Sequence, residues 1–172
     1  MRLRSSARGN SLRCSIGQND GMSPGSKTTI QLGPMRIDFL VEAGDSNGSL
    51  TMFEVFVPAG SGVPLPHSHD GFEETAYVLE GTCTWTIDGD TGEAGPGESV
   101  CIRRGQVHGF ENRGSEDVRF LAVATPGVFG PDYFEDVAGV LAAAAGGPPD
   151  PAAMSEVMRR HGLTPAPPPA TT

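Results

Sequence analysis

Three of the four histidines in this chain stand in two short segments, His67-Ser68-His69 and Gly105-Gln106-Val107-His108. His67 and His69 are two residues apart, and on an extended strand such residues project to the same face. Glu74 follows five residues after His69, near enough to return to the same place across a tight bend. His108 has to be delivered by another part of the fold. Three imidazole nitrogens and one carboxylate oxygen make a mixed donor set that suits a divalent first-row metal and leaves coordination positions open. The alternative for the same pattern is a solvated loop in which acids follow a pair of surface histidines.

The elements that must carry these residues read as short strands. Thr28 to Leu32, Met35 to Val41 and Leu50 to Val57 come first, the last rich in β-forming side chains. Pro58 to Pro66 holds three prolines and two glycines. It cannot form a regular element, and it delivers the chain to His67 extended, because residues before proline avoid the helical region. Glu73 to Glu80 is a strand closed by Gly81, with Glu74, Ala76 and Val78 on one face. Thr82 to Ile87 alternates, with Cys83, Trp85 and Ile87 on one side. Asp88-Gly89 signals a hairpin, Val100 to Ile102 is a short strand, and Val118 to Ala124 is the last. About nine strands spaced about ten residues apart, with no helix among them, predict an all-β sandwich or barrel.

After Pro126 the pattern changes. Tyr133, Phe134, Val137, Val140 and Leu141 recur at helical spacing within Asp132 to Ala145, with Pro131 able to begin that helix. A second helix is predicted from Pro151 to His161, with Asp150 as its N-cap and Gly162 as its stop. The helices are expected on the barrel exterior or near its mouth. His161, at a helix end, reads as a partner of the helix dipole and not as a ligand. The organisation predicted is a flexible arm over 1–27, a barrel over 28–127, helices over 128–163 and a disordered tail over 164–172.

Composition narrows the partners. A net charge of −9 argues against nucleic acid. Arg2, Arg4, Arg8 and Arg13 are followed by no apolar run, so no signal peptide is expected, and no stretch approaches a membrane span. The three cysteines, Cys14, Cys83 and Cys101, form no C-x-x-C pair and predict a reducing, cytoplasmic setting. Cys83 and Cys101 are expected as small buried hydrophobes. Arg103 and Arg104 read as a solvated turn. Phe72, Trp85, Phe110 and Phe120 are candidates for lining a pocket or for plain core packing.

The two histidine segments resemble the paired motifs of the cupins. The first has the form G-x5-H-x-H-x3,4-E-x6-G, matched by His67, His69, Glu74 and Gly81, with Gly60 and Gly62 flanking the leading glycine position. The second has the form G-x5-P-x-G-x2-H-x3-N, matched by Gly97, Gly105, His108 and Asn112, with Arg103 in place of proline. The resemblance covers roughly Gly33 to Gly127. It implies a double-stranded β-helix (a jelly-roll barrel) with a short C-terminal helical extension, and one divalent transition metal (iron, manganese, nickel, cobalt or zinc) on His67, His69, Glu74 and His108. It also implies a homodimer, to which the segment Thr28 to Leu32 could add a strand.

Val78-Leu79-Glu80-Gly81, the Arg104 to His108 turn, Thr125-Pro126-Gly127 with Phe134, and Pro148-Pro149-Asp150-Pro151 are similar to small bacterial members of the quercetin dioxygenase-like group. That likeness implies an oxygenase acting on an enolic or aromatic compound, with Glu74 as general base. The alternatives are a Lewis-acid isomerase, lyase or cyclase using the same metal, and a barrel that binds a small molecule without turning it over.

Overall fold

The computed structural model describes residues 28–63 and 65–166; the arm expected over 1–27 and the end of the expected tail, 167–172, lie outside them. Among the described residues there are eleven strands and two helices. The strands form two antiparallel sheets. The first contains β1 (Thr29–Leu32), β2 (Met35–Val41), β3 (Thr51–Val57), β5 (Glu73–Glu80), β8 (Ser99–Ile102) and β10 (Val118–Thr125), in the order β1-β2-β3-β10-β5-β8. The second contains β4 (His67–His69), β6 (Cys83–Ile87), β7 (Asp90–Ala94), β9 (His108–Glu111) and β11 (Leu163–Pro165), in the order β11-β4-β9-β6-β7.

Alternation along the central strands explains why the sheets close on one another. Thr51, Phe53, Val55 and Val57 of β3 are buried, as are Val118, Phe120, Ala122 and Ala124 of β10, while the residues between them are less so. The period of two places one apolar row of each strand inside. The all-β barrel read from the sequence is the fold observed, and two strands are added to it. Asp90–Ala94 completes the hairpin at Asp88-Gly89, both of which have positive φ (50° and 92°), as a two-residue turn matched to strand twist requires. β1 pairs with β2 of its own chain.

Two expectations are corrected. Cys101 is exposed, because the inward positions of β8 go to Val100 and Ile102 and the alternation turns Cys101 outward; Cys83 is buried as expected. The tail does not begin at Thr164. Leu163, Thr164 and Pro165 form β11 and pair with His69, Ser68 and His67. A low-complexity composition says nothing against a strand when a neighbouring edge offers unpaired backbone groups, and β4 is such an edge.

The helices are α1 (Pro131–Ala143) and α2 (Pro151–Arg160). Asp150 caps α2 by accepting a hydrogen bond from the Ala152 amide at 2.9 Å, and Gly162, with φ of 76°, ends it. His161 is the C-cap of α2, and its Nε2 lies 2.7 Å from Asp136 Oδ2 on α1. That bond ties the helices to each other. None of the helices in the described residues is long and apolar enough to cross a membrane.

β11 holds the histidine strand from outside. The Asp70 amide donates to Gly162 O at 3.0 Å, the Ala166 amide donates to Pro66 O at 2.9 Å, and Thr164 Oγ1 donates to Asp70 Oδ1 at 2.9 Å. Leu163 is fully buried. Leu163→Ala is expected to lower the unfolding free energy by about 2–5 kcal/mol, the usual cost of emptying a buried leucine site. Thr164→Ala, which removes only an exposed hydrogen bond, should cost less than about 1 kcal/mol. Urea denaturation separates the two by the shift in midpoint at constant slope.

Candidate metal centre

The three imidazoles come from one sheet and the carboxyl group from the other. His67 and His69 lie on β4, and His67 is directly paired with His108 on β9. Between His69 and Glu74 the chain passes through Asp70, Gly71 and Phe72 and changes sheets, so Glu74 on β5 sits between Ile102 of β8 and Ala124 of β10. The expected bend lies at Asp70 and Gly71, both exposed, and it carries the chain from one sheet to the other.

The ligand atoms of His67, His69 and His108 all lie within 4.8 Å of one another. The ring centroids are 4.7 Å apart for His67 and His108, 4.6 Å for His69 and His108, and 5.3 Å for His67 and His69. Glu74 Oε2 is 3.5 Å from His69 Nε2, but Glu74 is outside the group of three. Thus the structure brings the histidines together and sets the carboxyl group at their edge, against His69.

Each ring is oriented by the backbone or by packing. His67 Nδ1 is 3.1 Å from Leu65 O, and His108 Nδ1 is 3.1 Å from Gln106 O. A carbonyl only accepts, so both Nδ1 atoms carry the proton and both Nε2 atoms keep a free lone pair. Phe72 is stacked on His69 at 4.1 Å and 20°, and Phe72 in turn stacks on Phe129 at 5.0 Å. His69 is 1% exposed, and its Nδ1 has no hydrogen-bond partner.

The departures from the motif pattern have local explanations. Where the pattern has proline, the Arg103 amide donates to Gln106 Oε1 at 2.9 Å, a bond that proline cannot make. Gln106 Nε2 donates to Asp88 Oδ2 at 3.0 Å and the Val107 amide to Asp88 Oδ1 at 2.9 Å. This network aims His108 in place of a stiff ring. The Gly105 amide donates to His69 O at 3.0 Å and joins the two motifs directly. Gly62 serves as the leading glycine, since a Cβ there would lie 2.6 Å from Phe110 O. Asn112 is no ligand. Its Nδ2 donates to Val57 O and Glu116 O, and its Oδ1 accepts from the Gly114 amide, so it pins the exit of β9. Arg104 is exposed and pairs with Glu73 at 3.0 Å.

Electrostatics prepares the set for a cation. Burial, followed by the neighbouring His108, pushes His67 down to about 3, and burial with His108 and His67 pushes His69 down to about 2. Burial also lowers His108. All three are neutral near pH 7, which is the metal-binding form of imidazole. Burial pushes Glu74 up to about 7. Two donors each about 2.1 Å from one ion lie about 3.0 Å apart at a right angle and about 4.2 Å apart across it. The three nitrogens gather within 4.8 Å of one another, a little beyond the wider of those spacings, and the donor chemistry fits a divalent metal.

The site opens on a cavity of about 70 Å³ whose lining includes His67, His69, Glu74, His108, Trp85, Phe110 and Phe120. Of the four aromatic candidates, Phe72 is the one absent from this lining; it is buried behind His69. Phe53, Phe129, Tyr133 and Phe134 also line the cavity and were not anticipated as lining residues. The helical spacing of Tyr133, Phe134 and Val137 marks an apolar face, but spacing alone does not say what that face covers. Burial raises the Tyr133 phenol above its usual range, and the Glu74 charge adds to this.

A cation beside Glu74 favours its ionised form, so binding should release the proton that burial retains. His67 and His69, already neutral, have none to release, and burial reduces what His108 holds. Calorimetry of Zn(II) binding in buffers of different ionisation enthalpy should find about one proton released per metal at pH 6, falling toward none at pH 8. Glu74→Gln should abolish the release.

Comparison with known proteins agrees with the fold. The family described as "Cupin domain" matches residues 53–124. An uncharacterized protein of Methanocaldococcus jannaschii is 33% identical over 76 residues, which are 44% of this chain. The chain spans 60% of the length of that curated relative. The crystal structure of a predicted oxalate decarboxylase from Thermotoga maritima superposes with a TM-score of 0.54 at 24% identity, covering 59% of this chain and 92% of that one. The polyketide cyclase RemF from Streptomyces resistomycificus superposes with a TM-score of 0.52 at 28% identity, covering 60% of this chain and 77% of that one. Both histidine motifs place their imidazoles on one sheet of the barrel with Glu74 facing them from the other, and residues 53–124, which hold all four, are the part of the chain that is similar to the cupin domain.

Proposed function

We propose that the chain is a metal-dependent enzyme of oxygenase type that acts on a small enolic or aromatic compound. The observation that carries this reading is the cavity wall. Three neutral imidazoles and a buried carboxyl group face a space otherwise lined by aromatic and aliphatic side chains. A divalent metal held by His67, His69 and His108, with Glu74 beside them, would polarise a substrate oxygen and, if redox-active, support dioxygen chemistry. Glu74 does the proton work. A carboxyl group titrating near 7 accepts a proton from an enol or phenol and returns it with little driving force lost in either direction. The apolar wall favours flat, weakly polar compounds in the same space.

Size limits what enters the closed form. A cavity of about 70 Å³ has room for several waters, whereas an apolar cavity of about 150 Å³ takes up benzene. A ring-sized substrate would be accommodated by movement of Phe129, just before α1, and of Tyr133 and Phe134 in its first turn.

A second reading, Lewis-acid cyclisation or isomerisation at the same site, is favoured by the similarity to a polyketide cyclase at 28% identity. Incubating the Fe(II)- and Zn(II)-loaded chain with a panel of catechols and flavonols, with and without dioxygen, separates the two. Oxygen uptake with iron alone is the expected result. Product formed anaerobically with zinc would establish the second reading. With metal bound, no product under any condition would remove both. Glu74→Gln should lower turnover by about 10²-fold or more.

A further inference from the structure

The lining of the cavity includes Trp85, a residue whose buried, unpartnered N–H donor the metal chemistry does not use. Trp85 lies on the inner face of β6, opposite Phe110 on β9, while Ile87 on the same strand is opposite His108. Two residues along a strand are about 7 Å, so the indole stands one level away from the imidazoles. It is 3% exposed and packs against Phe110 and Phe120 at ring distances of 5.2 Å each. Its Nε1 is buried and makes no hydrogen bond. Trp85 lines the same cavity as His67, His69, Glu74 and His108. The neighbouring side chains of that wall, Phe110, Phe120, Val55 and Val63, hold no acceptor.

A buried indole N–H without a partner is costly and uncommon, since tryptophan usually finds an acceptor for it. Phenylalanine would fill an apolar wall without that penalty. We propose that Trp85 is a specificity-determining residue whose Nε1–H donates to an oxygen of the bound substrate, remote from the oxygen presented to the histidines. The substrate class is then a flat compound with two oxygen functions about one ring apart: an enol or catechol at the histidine end and a carbonyl or other acceptor at the Trp85 end. A compound lacking the second oxygen leaves the donor unpaired and binds less tightly. The inference rests on reading this cavity as the substrate site, and its test does not require turnover.

Trp85 is the single tryptophan of the chain, so the ¹⁵N-labelled protein gives one indole N–H resonance. The Zn(II)-loaded full chain is titrated with 4-methylcatechol and with 3,4-dihydroxybenzaldehyde, which share the chelating pair and differ in the acceptor across the ring. The expected result is a downfield shift of the indole proton with the aldehyde and none with the methyl compound. Calorimetry should also show that Trp85→Phe reduces the affinity ratio of aldehyde to methyl compound by about tenfold. The variant keeps the ring, and it keeps the effect of the aldehyde on catechol acidity. An indole resonance that stays in place or moves equally with both compounds overturns the proposal, as does an unchanged ratio in Trp85→Phe. If that variant fails to fold, the resonance of the native chain decides. Loss of turnover with the indole shift intact would remove the proposed chemistry and leave Trp85 as the donor.

Discussion

The structure depends on holding three imidazoles and one carboxyl group together in a largely apolar interior. Each of these groups is polar, and burying it without a partner is unfavourable. The fold responds by keeping the three histidines uncharged near neutrality, through burial and mutual repulsion, and by raising Glu74 to about 7 through burial alone, so that it still holds its proton part of the time there. What results is a cluster of imidazole lone pairs next to a proton that is easily given up. A divalent ion answers both conditions.

Everything around the cluster bears on its geometry. Two carbonyls set the rings of His67 and His108. Phe72 sets His69 by stacking. The Asp88, Gln106 and Arg103 network shapes the turn before His108. On the outside, β11 completes the hydrogen bonding of β4. Donors on sheet strands are placed more firmly than donors on loops, since their backbone bonds are shared with neighbours on either side. Glu74 is the exception in direction and not in support, because it reaches the cluster from the opposite sheet, where β8 and β10 both pair with β5.

The cavity's closure belongs to the C-terminal part of the chain. α1 contributes Tyr133, Phe134 and Val137 to its wall, and the His161–Asp136 bond couples α1 to α2 and so to β11. The segment that narrows the cavity is thus continuous with the one that braces the histidine strand. A substrate large enough to displace the aromatic cluster would act on both.

Much of this was legible in the residues alone. The H-x-H pair, the spacing to Glu74 and the second motif ending at Asn112 identify the ligand candidates, because strand periodicity places His67 and His69 on one face whatever surrounds them. Alternation in β3, β6 and β10 marks the inner faces, and Asp150 and Gly162 mark the ends of α2 for reasons of backbone chemistry that operate locally. Sequence could not place what depends on contacts between distant segments. Cys101 faces out because Ile102 takes the inward position. Leu163 to Pro165 forms a strand because β4 presents an open edge. Phe129, Tyr133 and Phe134 line the cavity because α1 folds over it. Composition and local pattern determined which side chains could bind a metal and which strands would carry them. The meeting of two sheets decided that Glu74 approaches from across the barrel, and that Trp85 is left with an unpaired donor inside it, since burial and hydrogen-bond satisfaction are properties of the closed structure and not of any one segment.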